Sequence, residues 1–185
     1  MLTHKTCSFF GHRNFIATEE AKQKIKNVLE DLIIKENVRT FLFGSKSEFD
    51  YFCCLIVSEL KEKYHNLKRV SYTCKNETCI LEEEKEKWIK IYFSIFKKPI
   101  DFLCFDDEFY FKNKFTAGRA SYVERNQAMI DDSDFCVFYY NQTYKPNKRK
   151  YSKRSNCYYQ PKSGTAIAYA YAVKKKKNVF NLFTL

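Results

Sequence analysis

The sequence predicts an α/β fold in which a mostly parallel sheet lies between two layers of helices. Segments typical of strands and of helices alternate along almost the whole chain, which is the pattern of repeated β-α-β units. Segments such as Phe135–Phe138 are continuously apolar, as expected for strands that are buried on both faces. All four glycines lie between a predicted strand and the helix that follows it. Together these observations indicate a Rossmann-like three-layer sandwich.

Each predicted element follows from a local pattern. Short apolar runs predict strands, and apolar residues spaced three and four apart predict helices. Thr18 and Ser47 are good N-caps for the first two helices. The predicted strands cover residues 5–10, 38–43, 69–73, 100–105, 135–140 and 179–183. The predicted helices cover residues 18–35, 81–96, 118–130 and 164–175, and one more begins at Ser47. Asn37, Asn66 and Asn178 precede strands and are predicted left-handed C-caps.

The glycines mark one edge of the predicted sheet. Gly11, Gly44, Gly118 and Gly164 all fall at strand-to-helix turns, and ligands of open α/β sheets bind outside the carboxyl ends of the strands. Glycine lets the backbone approach a ligand closely, and the amides of a helix N-terminus attract phosphate. Each glycine could instead simply make a tight turn. Because all four share one edge, we favour a site for a phosphate-bearing ligand.

The turns at this edge carry residues suited to phosphate. Arg13 can make a forked contact to phosphate, and His12 can donate to phosphate or ribose oxygens. Glu48 and Asp50 could hold a ribose hydroxyl, or could simply complement the dipole of the second helix. The candidate ligand-binding residues are Gly11, His12, Arg13, Gly44, Ser45, Lys46, Arg119, Arg125, Asn126, Lys162, Ser163, Gly164 and Thr165.

Together these turns resemble the SLOG superfamily, which groups the Lonely Guy phosphoribohydrolases, the DNA-processing protein A fold and many uncharacterised nucleotide-binding domains. The resemblance lies in Arg125-Asn126 followed by Met129, then Ser-Asp and an apolar strand, then Ser163–Thr165 opening a helix. The N-terminal Gly-His-Arg turn is similar to an uncharacterised bacterial and phage branch. The resemblance covers nearly the whole chain and implies that residues 1–185 form one SLOG-like nucleotide-binding domain.

The resemblance also bears on catalysis. Lonely Guy enzymes pair an arginine with a glutamate; Arg125 matches the arginine, whereas the position of the glutamate falls on Ala168. Alanine cannot act as an acid or base. We therefore expect a binding protein, which senses or sequesters an ADP-ribose-like signal in bacterial or phage defence or anti-defence. If the chain is instead a nucleoside-phosphate or N-glycosidic hydrolase, Arg125 and Glu124 are the candidate catalytic residues.

The net charge of +11 comes from two places. Residues 141–162 contain seven basic residues and no acidic one, and Lys174–Lys177 supply four more. Four tyrosines interleave with the cations of residues 141–162. We expect this basic loop to be a lid over the ligand site. The alternatives are DNA or RNA binding, for which cations and aromatic rings are suited, and a solvated excursion without a ligand.

Several classes of protein are disfavoured. No apolar run reaches the roughly 18 residues of a membrane span, and the N-terminus lacks the pattern of a secretory signal. We expect a cytoplasmic protein with reduced thiols, no cofactor and no membrane partner. We expect no metal site, because Cys74 and Cys79 are the only closely spaced cysteine pair apart from the adjacent Cys53 and Cys54 of an apolar run, whereas zinc knuckles usually show two pairs. The aromatic segment 88–96 could mediate homo-oligomerisation or could pack inward.

Overall fold

A six-stranded sheet forms the centre of the molecule in the structure, a computed structural model. The structure describes residues 4–12, 15–44, 47–74, 82–98, 105–112, 119–154 and 156–183. All neighbouring strands of the six-stranded sheet pair in parallel, and helices cover both faces. The predicted Rossmann-like three-layer sandwich is therefore confirmed.

The strands and helices alternate along the chain. The strands are β1 (Lys5–Gly11), β2 (Val38–Phe43), β3 (Lys68–Cys74), β4 (Asp107–Phe111), β5 (Phe135–Tyr139), β6 (Arg149–Lys150), β7 (Tyr158–Tyr159) and β8 (Asn178–Asn181). The helices are α1 (Glu19–Lys35), α2 (Glu48–Lys63), α3 (Glu82–Phe96), α4 (Arg119–Asp131) and α5 (Gly164–Lys174). The strand order is β4-β3-β2-β1-β5-β8. The direction of winding reverses between β1 and β5, and a crevice is expected at such a switch point.

Alternating side chains of the strands divide the core into two layers. Phe9 packs with residues of α1, α2 and α3 on one face of the sheet, whereas Phe10 packs with residues of α4 and α5 on the other. Both rings are buried, because successive side chains of a strand point to opposite faces and both faces are covered. The continuous apolar signature of β1 and β5 follows from this double burial.

The helix caps are largely as predicted. The hydroxyl of Thr18 accepts a hydrogen bond from the Ala21 amide at 3.1 Å, and the Ser47 hydroxyl accepts one from the Asp50 amide at 3.2 Å. Asn37 takes the predicted left-handed conformation, with φ of 58°. The predictions for Asn66 and Asn178 are wrong: among the described residues that are not glycine, the other positive φ values belong to Lys97 and Lys176. Lys176 shows that α5 reaches its left-handed turn two residues before the predicted position.

Among the described residues, the strand that follows α3 begins two residues after the end of the predicted segment 100–105. Of the predicted segment 100–105, the structure describes Phe105 alone, and that residue is not in a strand. The strand that pairs with β3 is β4, at the edge of the sheet. Most of β4 is exposed. An edge strand with little burial lacks the continuous apolar run on which the prediction depended.

Two further features concern the segments whose role the sequence left open. Tyr92, Ile95 and Phe96 of α3 are buried in the core, whereas Ile89 and Phe93 are exposed. The basic loop contains an antiparallel hairpin, in which β6 pairs with β7.

Within the described part of the chain, no helix is long and apolar enough to cross a membrane. No disulfide joins the cysteines described there, and the same residues contain no cluster of ligands that could hold a metal ion.

Candidate ligand-binding site

A cavity of about 580 Å³ lies at the carboxyl edge of the sheet. Its wall is formed by the end of β1, the residue after β2, the first turn of α2, the first half of α4, the start of α5 and part of the basic loop. The predicted ligand-binding residues that line it are Gly11, His12, Gly44, Arg125, Asn126, Lys162, Ser163, Gly164 and Thr165. Residues that are far apart in the sequence meet here because parallel strands deliver their carboxyl ends to one edge.

The remaining predicted site residues lie outside the described part of the chain or are not among the residues that line the cavity. Arg13, Ser45 and Lys46 lie outside the described residues. Arg119 begins α4, but its side chain is not among those described. Glu124, the candidate acid or base of the hydrolase alternative, is not among the residues that line the cavity.

Arg125 is the buried cation of the cavity wall. Its side chain is 4% exposed and donates from Nη1 to the carbonyl oxygen of Gly44 at 2.5 Å. A second hydrogen bond runs from Nη2 to Oδ1 of Asn126 at 3.3 Å. The guanidinium also lies 5.5 Å from the centroid of the Tyr122 ring, a cation–π distance. These contacts fix the orientation of the charge before any ligand arrives.

Gly44 is held between two opposite charges. Its carbonyl accepts from Arg125, and its amide donates to the carboxylate of Asp50 at 3.2 Å. Asp50 is also buried and lines the cavity. A Cβ on residue 44 would lie 2.9 Å from Cζ of Arg125, closer than side-chain atoms normally approach. A side chain at residue 44 would therefore displace the guanidinium, which packs directly against the backbone.

His12 connects the end of β1 to the start of the basic loop. Nε2 of His12 lies 3.1 Å from the amide nitrogen of Asn141 and 3.3 Å from its carbonyl oxygen, so that it accepts from the first or donates to the second according to the tautomer. The imidazole lies 4.4 Å from the Tyr144 ring between centroids. Burial lowers the pKa of His12, and donation from the protonated ring to the carbonyl oxygen of Asn141 opposes that shift only in part. Nε2 therefore contacts the loop in this structure, where the sequence suggested a donor to phosphate.

The N-terminus of α5 opens onto the cavity. Ser163 caps the helix by accepting a hydrogen bond from the Ala166 amide at 3.0 Å. A Cβ on Gly164 would meet nothing within 4 Å, whereas a Cβ on Gly11 would lie 2.4 Å from Cβ of Phe49. Gly11 is therefore required for packing against α2, while Gly164 faces open space. The helix dipole and the nearby Lys162 together favour an anion at this point.

The sequence prediction missed several side chains of the cavity wall. Tyr122 was missed although it lies three residues before Arg125, a spacing that places both on one face of α4. Tyr144, Lys148 and Arg149 of the basic loop also line the cavity. Their positions depend on the path of a long loop, which residue spacing does not determine.

The cavity and the fold define a Rossmann-like protein with a candidate ligand site at the switch point of its sheet. The sequence profile of the YspA SLOG family matches residues 12–173, and the chain belongs to this family. The matched segment contains every predicted ligand-binding residue except Gly11.

Comparison with solved structures supports the fold. The chain is similar to DNA processing protein A from Helicobacter pylori, a protein described as binding single-stranded DNA, with a TM-score of 0.53 and 16% sequence identity. The match covers 97% of this chain and 65% of the other, so the chain spans just under two thirds of that structure. At this identity the likeness concerns the fold alone. No curated protein matches the chain.

Proposed function

We propose that this SLOG-family chain binds a nucleotide or nucleotide-derived molecule, such as an ADP-ribose-like signal, and senses or sequesters it. The observation that carries the proposal is the convergence of three positive features on one cavity: the N-terminus of α5, the buried guanidinium of Arg125 and the ammonium of Lys162. Each favours an anion. The volume of about 580 Å³ is within the usual range for small-molecule pockets.

The cavity also offers groups for the remainder of a nucleotide. Tyr122 and Tyr144 line it and have aromatic faces on which a base can stack. Asn126 and Thr165 line it with an amide and a hydroxyl, which suit the hydrogen bonds of a ribose or a base. We assign the phosphate to the start of α5, since Gly164 leaves open space beside the first amides of the helix.

Binding is favoured over hydrolysis by the position of the carboxylates. Ala168, which stands where the related hydrolases have a glutamate, is 2% exposed and packs in the core. The carboxylate of Asp50 does line the cavity, but it accepts the hydrogen bond of the Gly44 amide. We therefore expect purified protein to leave AMP intact. Release of free adenine from AMP, monitored by chromatography, would instead support the hydrolase.

A thermal-shift comparison tests the proposed site with AMP, ADP, NAD and ADP-ribose as probes. A ligand at one hundred times its dissociation constant stabilises the protein by about 2.7 kcal/mol. The variants Gly164→Ala and Lys162→Ala should lower the affinity by roughly tenfold or more, because one fills the open space and the other removes a charge. The control variant Lys90→Ala changes an exposed lysine on α3 and should bind like the wild type.

Two results would contradict the proposal. One is the absence of stabilisation by any of the four probes. The other is stabilisation that Gly164→Ala and Lys162→Ala leave unchanged, since the ligand would then bind elsewhere. Arg125 is unsuited to this test because its replacement would also remove the hydrogen bond to Gly44 and disturb the fold.

A further inference from the structure

The basic hairpin, residues 144–160, carries positive charge that nothing in the described structure neutralises. Its cations are Lys145, Lys148, Arg149, Lys150, Lys153 and Arg154. All are exposed except Arg149, which is half-buried. Within the described part of the chain, no ion pair joins any of them to a carboxylate. Mutual repulsion of this kind costs stability, so an anionic partner would relieve it.

The same hairpin exposes aromatic rings. Tyr151 is 71% exposed, Tyr158 is 55% exposed and Tyr159 is 37% exposed. The rings of Tyr151 and Tyr159 contact each other, with centroids 5.1 Å apart. Nζ of Lys150 lies 5.7 Å from the centroid of the Tyr158 ring. Cations and open ring faces therefore alternate over one small surface.

The hairpin has a part that faces the cavity and a part that does not. Lys148 and Arg149 line the cavity, whereas Lys150, Tyr151, Tyr158 and Tyr159 do not. A ligand confined to the cavity would leave this outer part unused. A longer ligand that begins in the cavity would pass along Lys148 and Arg149 and reach the rings of Tyr151 and Tyr159.

We propose that the basic hairpin binds a single-stranded nucleic acid, with one phosphate in the cavity and neighbouring bases stacked on Tyr151 and Tyr159. The phosphate position rests on the proposed function, which the hairpin extends from a mononucleotide to a polymer. An acidic protein or a duplex backbone would pair with the cations, but neither presents unpaired bases that can stack on the exposed rings. A single-stranded nucleic acid uses both the cations and the rings, since its phosphates contact cations and its unpaired bases stack on aromatic side chains.

Fluorescence anisotropy with a labelled oligothymidylate of about 12 nucleotides tests this proposal, because the length is within the range that single-strand-binding surfaces cover. The wild type should bind it more tightly than AMP. The double variant Tyr151→Ala/Tyr159→Ala should bind it at least about tenfold more weakly. The matched control Tyr110→Ala removes a tyrosine that is 58% exposed on β4 and should bind like the wild type.

A second pair of variants tests the charges without altering the rings. Lys150→Gln/Lys153→Gln should reduce the slope of log affinity against log salt by about 0.7 for each phosphate that the protein no longer neutralises. Lys90→Gln/Lys174→Gln, which alters exposed lysines on α3 and α5, should leave that slope unchanged. Circular dichroism on all variants separates weaker binding from failure to fold.

The outcomes separate this proposal from that of the small-molecule site. Equal affinity of the tyrosine double variant and the wild type would overturn the hairpin proposal, as would equal affinity for a duplex, and neither affects AMP binding. Binding of AMP without tighter binding of the oligonucleotide would limit the basic loop to a lid. Binding of the oligonucleotide that depends on the tyrosines, without any binding of AMP, would support the hairpin and remove the mononucleotide site.

Discussion

Arg125 and Asp50 stabilise the backbone of Gly44 from its two sides. Both side chains are almost closed to solvent, since each is 4% exposed. Buried charges are costly unless hydrogen bonds and opposite charges compensate them, and the peptide groups of residue 44 accept from one and donate to the other. The cavity thus has a fixed pattern of charge before a ligand binds, which lowers the cost of ordering on binding.

His12 gives the site a predicted pH dependence. Burial lowers its pKa from 6.5 in the folded protein, so the unfolded chain binds the proton more readily. The free energy of unfolding should therefore fall as the pH decreases below 6.5, and the fall should be complete once the pH is below the folded-state pKa. The variant His12→Gln should lack this part of the fall in urea titrations between about pH 7 and about pH 5.

A matched control for His12 lies in the exposed turn after α2. His65→Gln removes a histidine without touching the cavity and controls for the loss of an imidazole as such. Identical curves for His12→Gln and the wild type would show that burial does not lower the pKa of His12 in the folded protein.

The glycines show how much of the candidate site could be predicted from single residues of the sequence. Their common position at strand-to-helix turns predicted the edge at which the cavity lies. The reason for each glycine depends on packing: Phe49 fills the space at Gly11, and Arg125 fills it at Gly44, whereas Gly164 faces open space. Sequence spacing does not show which side chain of a distant helix packs on a given turn. It therefore could not distinguish the glycines that a neighbouring side chain contacts from the one that faces open space.

At the level of elements, the helix starts were predictable, whereas the edge strand and the strands of the basic loop were not. Thr18, Ser47 and Ser163 cap α1, α2 and α5 because a short hydroxyl side chain can accept a bond from the exposed amides of the first turn. By contrast, β4 is mostly exposed and the basic hairpin pairs through two residues on each side. Neither carries the apolar run that identifies a buried strand.

Two N-caps with the same chemistry form a test at this scale. Ser163→Ala and Thr18→Ala should each lower the free energy of unfolding by about 1 kcal/mol, because each removes one capping hydrogen bond. Ser163 lines the cavity, whereas Thr18 does not. Titration calorimetry with ADP-ribose should therefore show weaker binding for Ser163→Ala alone. Equal affinities of the two variants would place the ligand away from the start of α5.

Across the whole molecule, two charged clusters at opposite edges of the sheet differ in how their charge is compensated. At the amino edge, Arg69 donates to the carboxylate of Asp106 at 3.0 Å, and Lys61 also pairs with it. Burial would raise the pKa of Asp106, but hydrogen bonds from Arg69 and Lys61 outweigh burial and hold the pKa well below its usual range. At the carboxyl edge, Lys162 and the basic hairpin have no such partners among the described residues. This asymmetry favours the carboxyl edge for an anionic ligand.

The measurement that tests the central claim most directly is a nuclear magnetic resonance titration of ¹⁵N-labelled protein with ADP-ribose. If a phosphate binds at the start of α5, the amide signals of Gly164 and Thr165 should show the largest shifts, together with that of Gly44 beside Arg125. The amides of Arg69 and Asp106, at the opposite edge of the sheet, should remain unchanged and serve as the internal reference. Largest shifts at the amino edge, or no shifts at Gly164 and Thr165 at saturating ligand, would contradict the assignment of the site.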